Sequence, residues 1–155
     1  MTKKQRPVHT LYAHIDGASR GNPGESGIGI VLRDGKGNTL FSGSGYLGKC
    51  TNNEAEYNAL ITCLKKIKSL LDERKHAETR IEQVIVYSDS ELLVNQVAGS
   101  YKVKDANLRT LFRRAVQLMQ TVPAKVEVCH ISRGQNLDAD MLANYGIDTR
   151  IRLRV

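Results

Sequence analysis

The chain has 155 residues, of which 41% are hydrophobic and 25% charged, and its formal net charge at pH 7 is +7. These values are typical of a single globular domain, and no stretch approaches the ~20 consecutive apolar residues that a bilayer crossing requires. The N-terminus is basic but lacks the apolar segment of a secretory signal, so we expect a cytoplasmic protein. The excess of Lys and Arg is compatible with nucleic acid, an anionic membrane or an acidic protein as a partner.

The first third of the chain predicts three strands. Residues 11–16 alternate in polarity and end at Gly17, residues 26–32 read SGIGIVL, and residues 39–47 follow the turn-rich segment RDGKGN. Short links rich in Gly, Asp and Asn are typical of hairpins. We therefore predict an antiparallel meander.

Helical spacing begins after the meander. The sequence Thr51-Asn52-Asn53-Glu54 is typical of a capping box, with Thr51 as the N-cap and Glu54 three positions later. Apolar residues then recur on one face as far as Leu71. The first helix is therefore predicted to begin directly after Thr51.

The rest of the chain alternates between strand and helix patterns. An apolar run at 84–87 predicts a strand that is covered on both faces. Later patterns predict two helices, a fifth strand and a last helix that ends at Gly146, over residues 90–98, 105–121, 126–131 and 136–145. This order predicts an α/β fold with a mixed sheet and helices packed against it. The ends are expected to be a flexible N-terminus over 1–9 and a C-terminal tail or edge strand over 147–155.

Four short motifs each contain an acidic residue that the fold could bring together. They are DGASRGNPG with Asp16, TNNEAEY with Glu56, YSDSE with Asp89, and NLDADMLAN with Asp140. Asp16 and Asp89 end the predicted first and fourth strands, so they emerge at one edge if these strands are adjacent and parallel. Several like charges are costly to bury unless a cation neutralises them. The motifs therefore predict a divalent-metal site.

Each acid also has a structural interpretation. Asp16 and Asp89 could cap turns. Glu54 has a role in the capping box, which leaves Glu56 as the better candidate for the site. Asp138 and Asp140 both suit the first turn of a helix, and their spacing does not separate them.

In their order and spacing, DGASRGNPG, TNNEAEY and YSDSE resemble the motifs of the ribonuclease H family, specifically its bacterial-type ribonuclease HI branch. The resemblance runs from about residue 11 to residue 145. It implies one ribonuclease H-like domain over 1–155, with a five-stranded mixed sheet made of an antiparallel meander plus two parallel strands. It also implies a metal-dependent endonuclease that hydrolyses the RNA strand of RNA–DNA hybrids.

The resemblance further implies the metal ligands. The four family ligands map onto Asp16, Glu56, Asp89 and Asp140, the last through the pattern Asp-x-Leu-Ala. Two Mg²⁺ ions ~3.5–4 Å apart would act in an in-line displacement, with Asp16 bridging them, and Mn²⁺ could substitute. Products would carry a 5′ phosphate and a 3′ hydroxyl.

The same resemblance assigns substrate contacts. Minor-groove contacts fall on Asn22, Asn52 and Asn53, and a DNA-strand phosphate on Thr51 and Arg33. The backbone of the glycine-rich segment after Asp16 could approach a sugar-phosphate closely, at Gly17, Ala18 and Ser19.

The chain departs from many family members in two places. A basic, tryptophan-bearing insertion between the middle helices is absent: residues 99–104 join them, and the chain has no tryptophan. We expect Lys102 and Lys104 to contribute to the grip on substrate instead. A histidine that often precedes the last helix is replaced in the loop by Arg133, and His130 is interpreted as a structural residue of the fifth strand.

Two other functions stay open at this point. The chain could be a nucleic-acid-binding module of the same fold that cuts poorly, or the ribonuclease H domain of a reverse transcriptase. Intact acids at all four positions favour the nuclease, and a monomer is expected for this family.

Overall fold

The computed structural model describes residues 9–74, 77 and 79–155. The predicted flexible N-terminus lies outside the described residues except for His9, at which the first strand begins. The strands are β1 (His9–Gly21), β2 (Gly24–Arg33), β3 (Thr39–Cys50), β4 (Ile81–Ser88) and β5 (Lys125–His130). The helices are α1 (Asn52–Glu73), α2 (Glu91–Val97), α3 (Ala106–Thr121) and α4 (Leu137–Thr149), with one 3₁₀ turn at Arg133–Gln135.

The five strands form one mixed sheet in the order β3-β2-β1-β4-β5. The first three pair antiparallel, whereas β1 with β4 and β4 with β5 pair parallel. The predicted meander and mixed sheet are therefore confirmed. The central position of β1 makes it the link between the antiparallel and parallel halves.

Helix α1 covers one face of the sheet. Its capping box is present as predicted, because the Thr51 side chain accepts from the Glu54 N–H and the Glu54 carboxylate accepts from the Thr51 N–H. Leu60, Leu64 and Ile67 are fully buried against the strands. Since apolar side chains at this spacing share one face of a helix, their burial fixes how α1 lies on the sheet. Helix α3 packs against α1.

Helix α4 covers the opposite face, and it does not end where the sequence predicted. Gly146 lies inside the helix, which continues to Thr149 and ends with Arg150 in the left-handed conformation at φ 55°. A Cβ atom on Gly146 would lie 2.4 Å from the carbonyl oxygen of Gly45 in β3. Gly146 is therefore a close-packing residue and not a helix stop, and the prediction was wrong because it used only local sequence.

The C-terminal segment follows β3 without forming a strand. The Tyr46 N–H donates to the Ile151 carbonyl at 2.9 Å, and Leu153 packs beside Gly45 and against the core. Residues 147–149 belong to α4 and residues 151–155 have no regular secondary structure. Of the two alternatives predicted for 147–155, the edge strand does not form, and the irregular tail is shorter than predicted and covers 151–155.

Across the part of the chain that the structure describes, no helix combines the length and the apolar composition that a membrane crossing needs.

Candidate active site

Two of the predicted acids, Asp16 and Asp89, lie at the same level of the sheet on neighbouring parallel segments. Ile15 pairs with Ser88 in the β1–β4 register, so Asp16 and Asp89 follow this pair on adjacent strands. Neighbouring strands lie ~4.8 Å apart, which brings the two carboxylates within reach of one another. Asp89 follows the last residue of β4, as predicted. Asp16 does not end β1: the strand continues to Gly21 because β2 still pairs with it beyond the end of β4.

A third acid comes from the first turns of α1. Glu56 is 8% exposed and lies in the helix directly beyond the capping box. A Cβ atom on Gly17 would lie 2.4 Å from the Glu56 backbone nitrogen, so only glycine lets α1 approach β1 this closely. The structure thus separates the two glutamates as predicted: Glu54 caps the helix and Glu56 faces the other acids.

The three acids form a compact cluster. Asp16, Glu56 and Asp89 each offer a carboxylate oxygen, and these oxygens all lie within 4.8 Å of one another. Burial, followed by the charge of Asp89, raises the pKa of Asp16 to about 8. Burial, followed by the charge of Asp16, raises the pKa of Glu56 well above its ordinary value. Both shifts express the cost of holding like charges together in a poorly solvated place.

The structure also separates the two aspartates of α4. Asp140 faces Asp16, and its proximity contributes to the raised pKa of the Asp16 carboxyl. Asp138 points elsewhere and forms an ion pair with Arg33 at 2.6 Å. Asp140 is exposed, and it lies outside the set of oxygens within 4.8 Å, so it completes the site from the rim.

All four acids line one open cavity of about 410 Å³. The other predicted residues on its wall come from β1 and from the start of α1: Gly17, Ala18, Ser19, Asn52 and Asn53. Asn22 is tied to this wall, because its side-chain oxygen accepts from the Asn52 N–H at 3.1 Å. Thr51 is fixed beside it as the helix cap.

Three predicted substrate residues lie away from the cavity wall. Gly24, at the start of β2, pairs with Cys50, so this end of the strand lies beside Thr51. Arg33 lies nine residues farther along the same strand, at its other end. At ~3.3 Å per residue this separation is about 30 Å, so Arg33 and Thr51 cannot hold the same phosphate, and that assignment is corrected. Lys102 and Lys104 are exposed on the link between α2 and α3, with backbone carbonyls that accept from Gln96 and Arg109.

Comparison with known proteins agrees with this geometry. A family model described as reverse transcriptase-like matches residues 14–146. The ribonuclease H of Coxiella burnetii is 32% identical to this chain, and the match covers 96% of the chain and 95% of that protein. The chain belongs to the ribonuclease H family.

Other members of the family extend the comparison. LC11-RNase H1, whose crystal structure was solved in complex with an RNA/DNA hybrid, is 40% identical with a TM-score of 0.82, over 90% of this chain and 98% of that one. The ribonuclease HI of Halobacterium salinarum is 36% identical over 89% of this chain, which spans 64% of that protein's length. The sheet order and the acidic cluster described above are thus set in a ribonuclease H fold.

Three residues of the cavity wall were not predicted as site residues. Ser90, Arg133 and Leu137 also line the cavity. Ser90 caps α2 by accepting from the Leu93 N–H at 3.1 Å, which places it beside Asp89. The motif Ser-Asp-Ser could have indicated Ser90. Arg133 was recognised in the loop before the last helix but given no role, and no local pattern marks Leu137.

Proposed function

We propose that this protein is a metal-dependent endonuclease that hydrolyses the RNA strand of RNA–DNA hybrids. One observation carries the proposal: Asp16, Glu56 and Asp89 bring carboxylate oxygens within 4.8 Å of one another in the wall of an open cavity. A binding surface for a polyanion has no use for a buried group of acids, because their charges repel phosphate. A divalent cation held by these acids would offset their negative charge and attract the phosphate instead.

The donors fit a hard divalent cation. All are carboxylates, and the Glu56 Oε2 atom is buried without a hydrogen-bond partner among the described residues. An unpartnered buried carboxylate oxygen is costly, and a bound cation supplies the missing interaction. We propose two Mg²⁺ ions held by Asp16, Glu56, Asp89 and Asp140, with Mn²⁺ as a substitute. When bound, such ions supply Lewis-acid activation of water and charge stabilisation at the leaving oxygen.

The residues around the acids suit a sugar-phosphate substrate. The β1 backbone from Gly17 to Ser19 runs along the cavity wall, where it can approach a ribose closely. Asn52 and Asn53 are exposed at its edge and offer amide donors and acceptors to base edges in a minor groove. The 2′-hydroxyl distinguishes RNA from DNA, and we propose that Glu56 or the carbonyls of β1 accept a hydrogen bond from it.

The positive charges suit the same substrate. Arg133 lies on the cavity wall, and Lys102 and Lys104 are exposed beyond the end of α2. Each phosphate neutralised by such a group releases counterions, which favours binding of a duplex. We further propose a monomer that acts in the cytoplasm and leaves 5′-phosphate and 3′-hydroxyl ends.

The test is cleavage of an RNA–DNA duplex labelled on the RNA strand, with Mg²⁺ and with excess chelator. The expected result is Mg²⁺-dependent cutting within the RNA strand and none of the DNA strand or of a DNA duplex. Mapping the ends of the fragments checks the predicted 5′ phosphate. Tight hybrid binding by the wild type without cutting in Mg²⁺ or Mn²⁺ would instead support a non-catalytic binding module.

The chain offers two matched pairs of acids as controls. Glu56→Gln and Asp140→Asn change acids of the cavity, so we expect a loss of activity of at least about 100-fold. Glu54→Gln and Asp138→Asn change acids that lie two residues away and serve a helix cap and an ion pair. These two variants should lose stability but keep cutting, and equal losses within either pair would contradict the assignment.

A further inference from the structure

Asn136 stands directly behind the acidic cluster and is 1% exposed. Its side-chain nitrogen donates to the Ile15 carbonyl of β1 at 2.8 Å and to the Asp89 carboxylate at 3.2 Å. Ile15 precedes Asp16, and Asp89 follows β4. One amide group therefore connects the two strands that carry two of the acids.

The chemistry of the two partners fixes the orientation of this amide. A carbonyl oxygen and a carboxylate oxygen both accept hydrogen bonds, and a side-chain NH₂ group has two protons to donate. The nitrogen of Asn136 must therefore face them, and both of its protons are used. An apolar residue or a carboxylate at this position would remove both of these hydrogen bonds.

The Asn136 side chain does not cap the helix that it precedes. It is the N-cap residue of α4, where an asparagine oxygen commonly accepts from the first turn and contributes about 1 kcal/mol, yet its side chain makes no capping bond. Its Oδ1 atom is buried with no hydrogen-bond partner among the described residues. A cavity of about 150 Å³ lies against the residue. Neither a cap nor close packing on every side explains the position, so the bonds to Ile15 and Asp89 must.

We infer that Asn136 is a positioning residue of the metal site, which holds the Asp89 carboxylate at a fixed place relative to Asp16. The inference rests on the proposed function and deepens it. A carboxylate fixed before the cation arrives loses little freedom on binding, and groups that orient metal ligands commonly contribute 10- to 100-fold in affinity or activity. Removing the amide should weaken cation binding while leaving all four acids in place.

The experiment compares Mg²⁺ binding by Asn136→Ala and Asn136→Leu with that of the wild type, by calorimetric titration and by the rise of the melting temperature with Mg²⁺. Asn136→Leu keeps most of the buried volume and removes the amide, whose Oδ1 atom has no hydrogen-bond partner among the described residues. The matched control is Gln96→Ala, because Gln96 is another buried amide, 4% exposed, that accepts from the Tyr57 hydroxyl at 2.6 Å and forms no hydrogen bond with the four acids. All variants should lose stability.

We expect both Asn136 variants to bind Mg²⁺ at least about tenfold more weakly, and the Gln96 control to stay within about twofold. Raising the Mg²⁺ concentration should restore much of the cleavage by the Asn136 variants and none of that by Asp89→Asn. Wild-type affinity in Asn136→Leu, or an equal loss in Gln96→Ala, would overturn the inference.

A second test uses only the wild-type protein, so it does not depend on whether the Asn136 variants fold. In ¹⁵N-labelled protein, the side-chain NH₂ signals of Asn136 should move during a Mg²⁺ titration with the same midpoint as the calorimetric binding curve. Signals that stay in place while Mg²⁺ binds would also overturn the inference. If Mg²⁺ binds but the wild type cuts no hybrid, the nuclease function fails while the role of Asn136 in metal binding is still decided by these data.

Discussion

Removing the buried Asp16 carboxylate should make the metal-free protein more stable. Asp16 is 5% exposed, and burial together with the charge of Asp89 raises its pKa from 3.8 to about 8. The folded protein therefore keeps a proton on Asp16 between these pH values that the unfolded chain releases. The unfolded state gains from this release, so stability falls as the pH rises from about 4 to about 8. The raised pKa of Glu56 acts in the same direction.

The magnitude follows from the same values. At pH 7 the solution lies about 3 pH units above the ordinary pKa of an aspartate, and each unit corresponds to ~1.4 kcal/mol, which gives a cost of about 4 kcal/mol. Asparagine resembles the protonated acid in shape and carries no charge. We expect Asp16→Asn to raise the free energy of unfolding at pH 7 in chelator by about 2–4 kcal/mol, since an amide reproduces the protonated acid only in part. For a chain of this size the melting temperature should rise by about 5–15 °C.

The assay is urea and thermal unfolding in chelator at several pH values between 4 and 8, followed by the same series in Mg²⁺. The difference between variant and wild type should shrink toward pH 4, where the unfolded chain also keeps the proton. Mg²⁺ should stabilise the wild type and have a much smaller effect on the variant. Asp148→Asn is the control, because Asp148 is an exposed acid of α4 that pairs with Arg20. An Asp16→Asn protein no more stable than the wild type at pH 7, or a gain that does not depend on pH, would refute the reasoning.

Three further predictions concern packing, capping and charge. Gly146→Ala should lower the free energy of unfolding by about 2–3 kcal/mol in urea titrations, because the new Cβ would lie 2.4 Å from the Gly45 carbonyl oxygen. The control is Gly35→Ala, which should change the free energy of unfolding by less than about 0.5 kcal/mol because a Cβ on Gly35 would meet no atom within 4 Å. Thr51→Ala should cost about 1 kcal/mol through loss of the capping box, and Thr51→Ser should recover most of it in the same titrations. Replacing Lys102 and Lys104 by Gln should make the salt dependence of hybrid binding shallower. In anisotropy measurements with a labelled hybrid, the negative slope of log affinity against log salt should become smaller in magnitude by about 2. An unchanged slope would show that neither lysine contacts phosphate.

Local patterns were sufficient wherever neighbours in sequence decide the structure. The capping box at Thr51 predicted where α1 begins, and it also assigned Glu54 to the cap and Glu56 to the site. Alternation, apolar runs and turn residues predicted all five strands, four of them to within three residues at each end. The first strand was cut short at Asp16 because its continuation depends on pairing with β2, which a local pattern does not contain.

Features that depend on distant partners were not accessible in this way. Gly146 follows a helical pattern as a stop signal would, and only the approach of β3 shows that it lies within the helix. Asp138 and Asp140 are equivalent in spacing, and they differ because Arg33 lies on one side of α4 and Asp16 on the other. Family resemblance chose Asp140, the aspartate that lies beside Asp16, but it also paired Arg33 with Thr51, from which β2 separates it.

Asn136 shows what kind of residue such reasoning misses. Each of the four acids lies in a motif whose charge makes it conspicuous, whereas an asparagine before a helix is common as a cap and attracts no attention. Its role depends on an Ile15 carbonyl and an Asp89 carboxylate that lie 121 and 47 residues away in the chain. Once the acids are ionised, as cation binding requires, they repel one another and do not hold a fixed arrangement by themselves. A neutral donor between two such acids therefore helps to hold the site in shape, and Asn136 donates one proton to the Ile15 carbonyl and one to the Asp89 carboxylate.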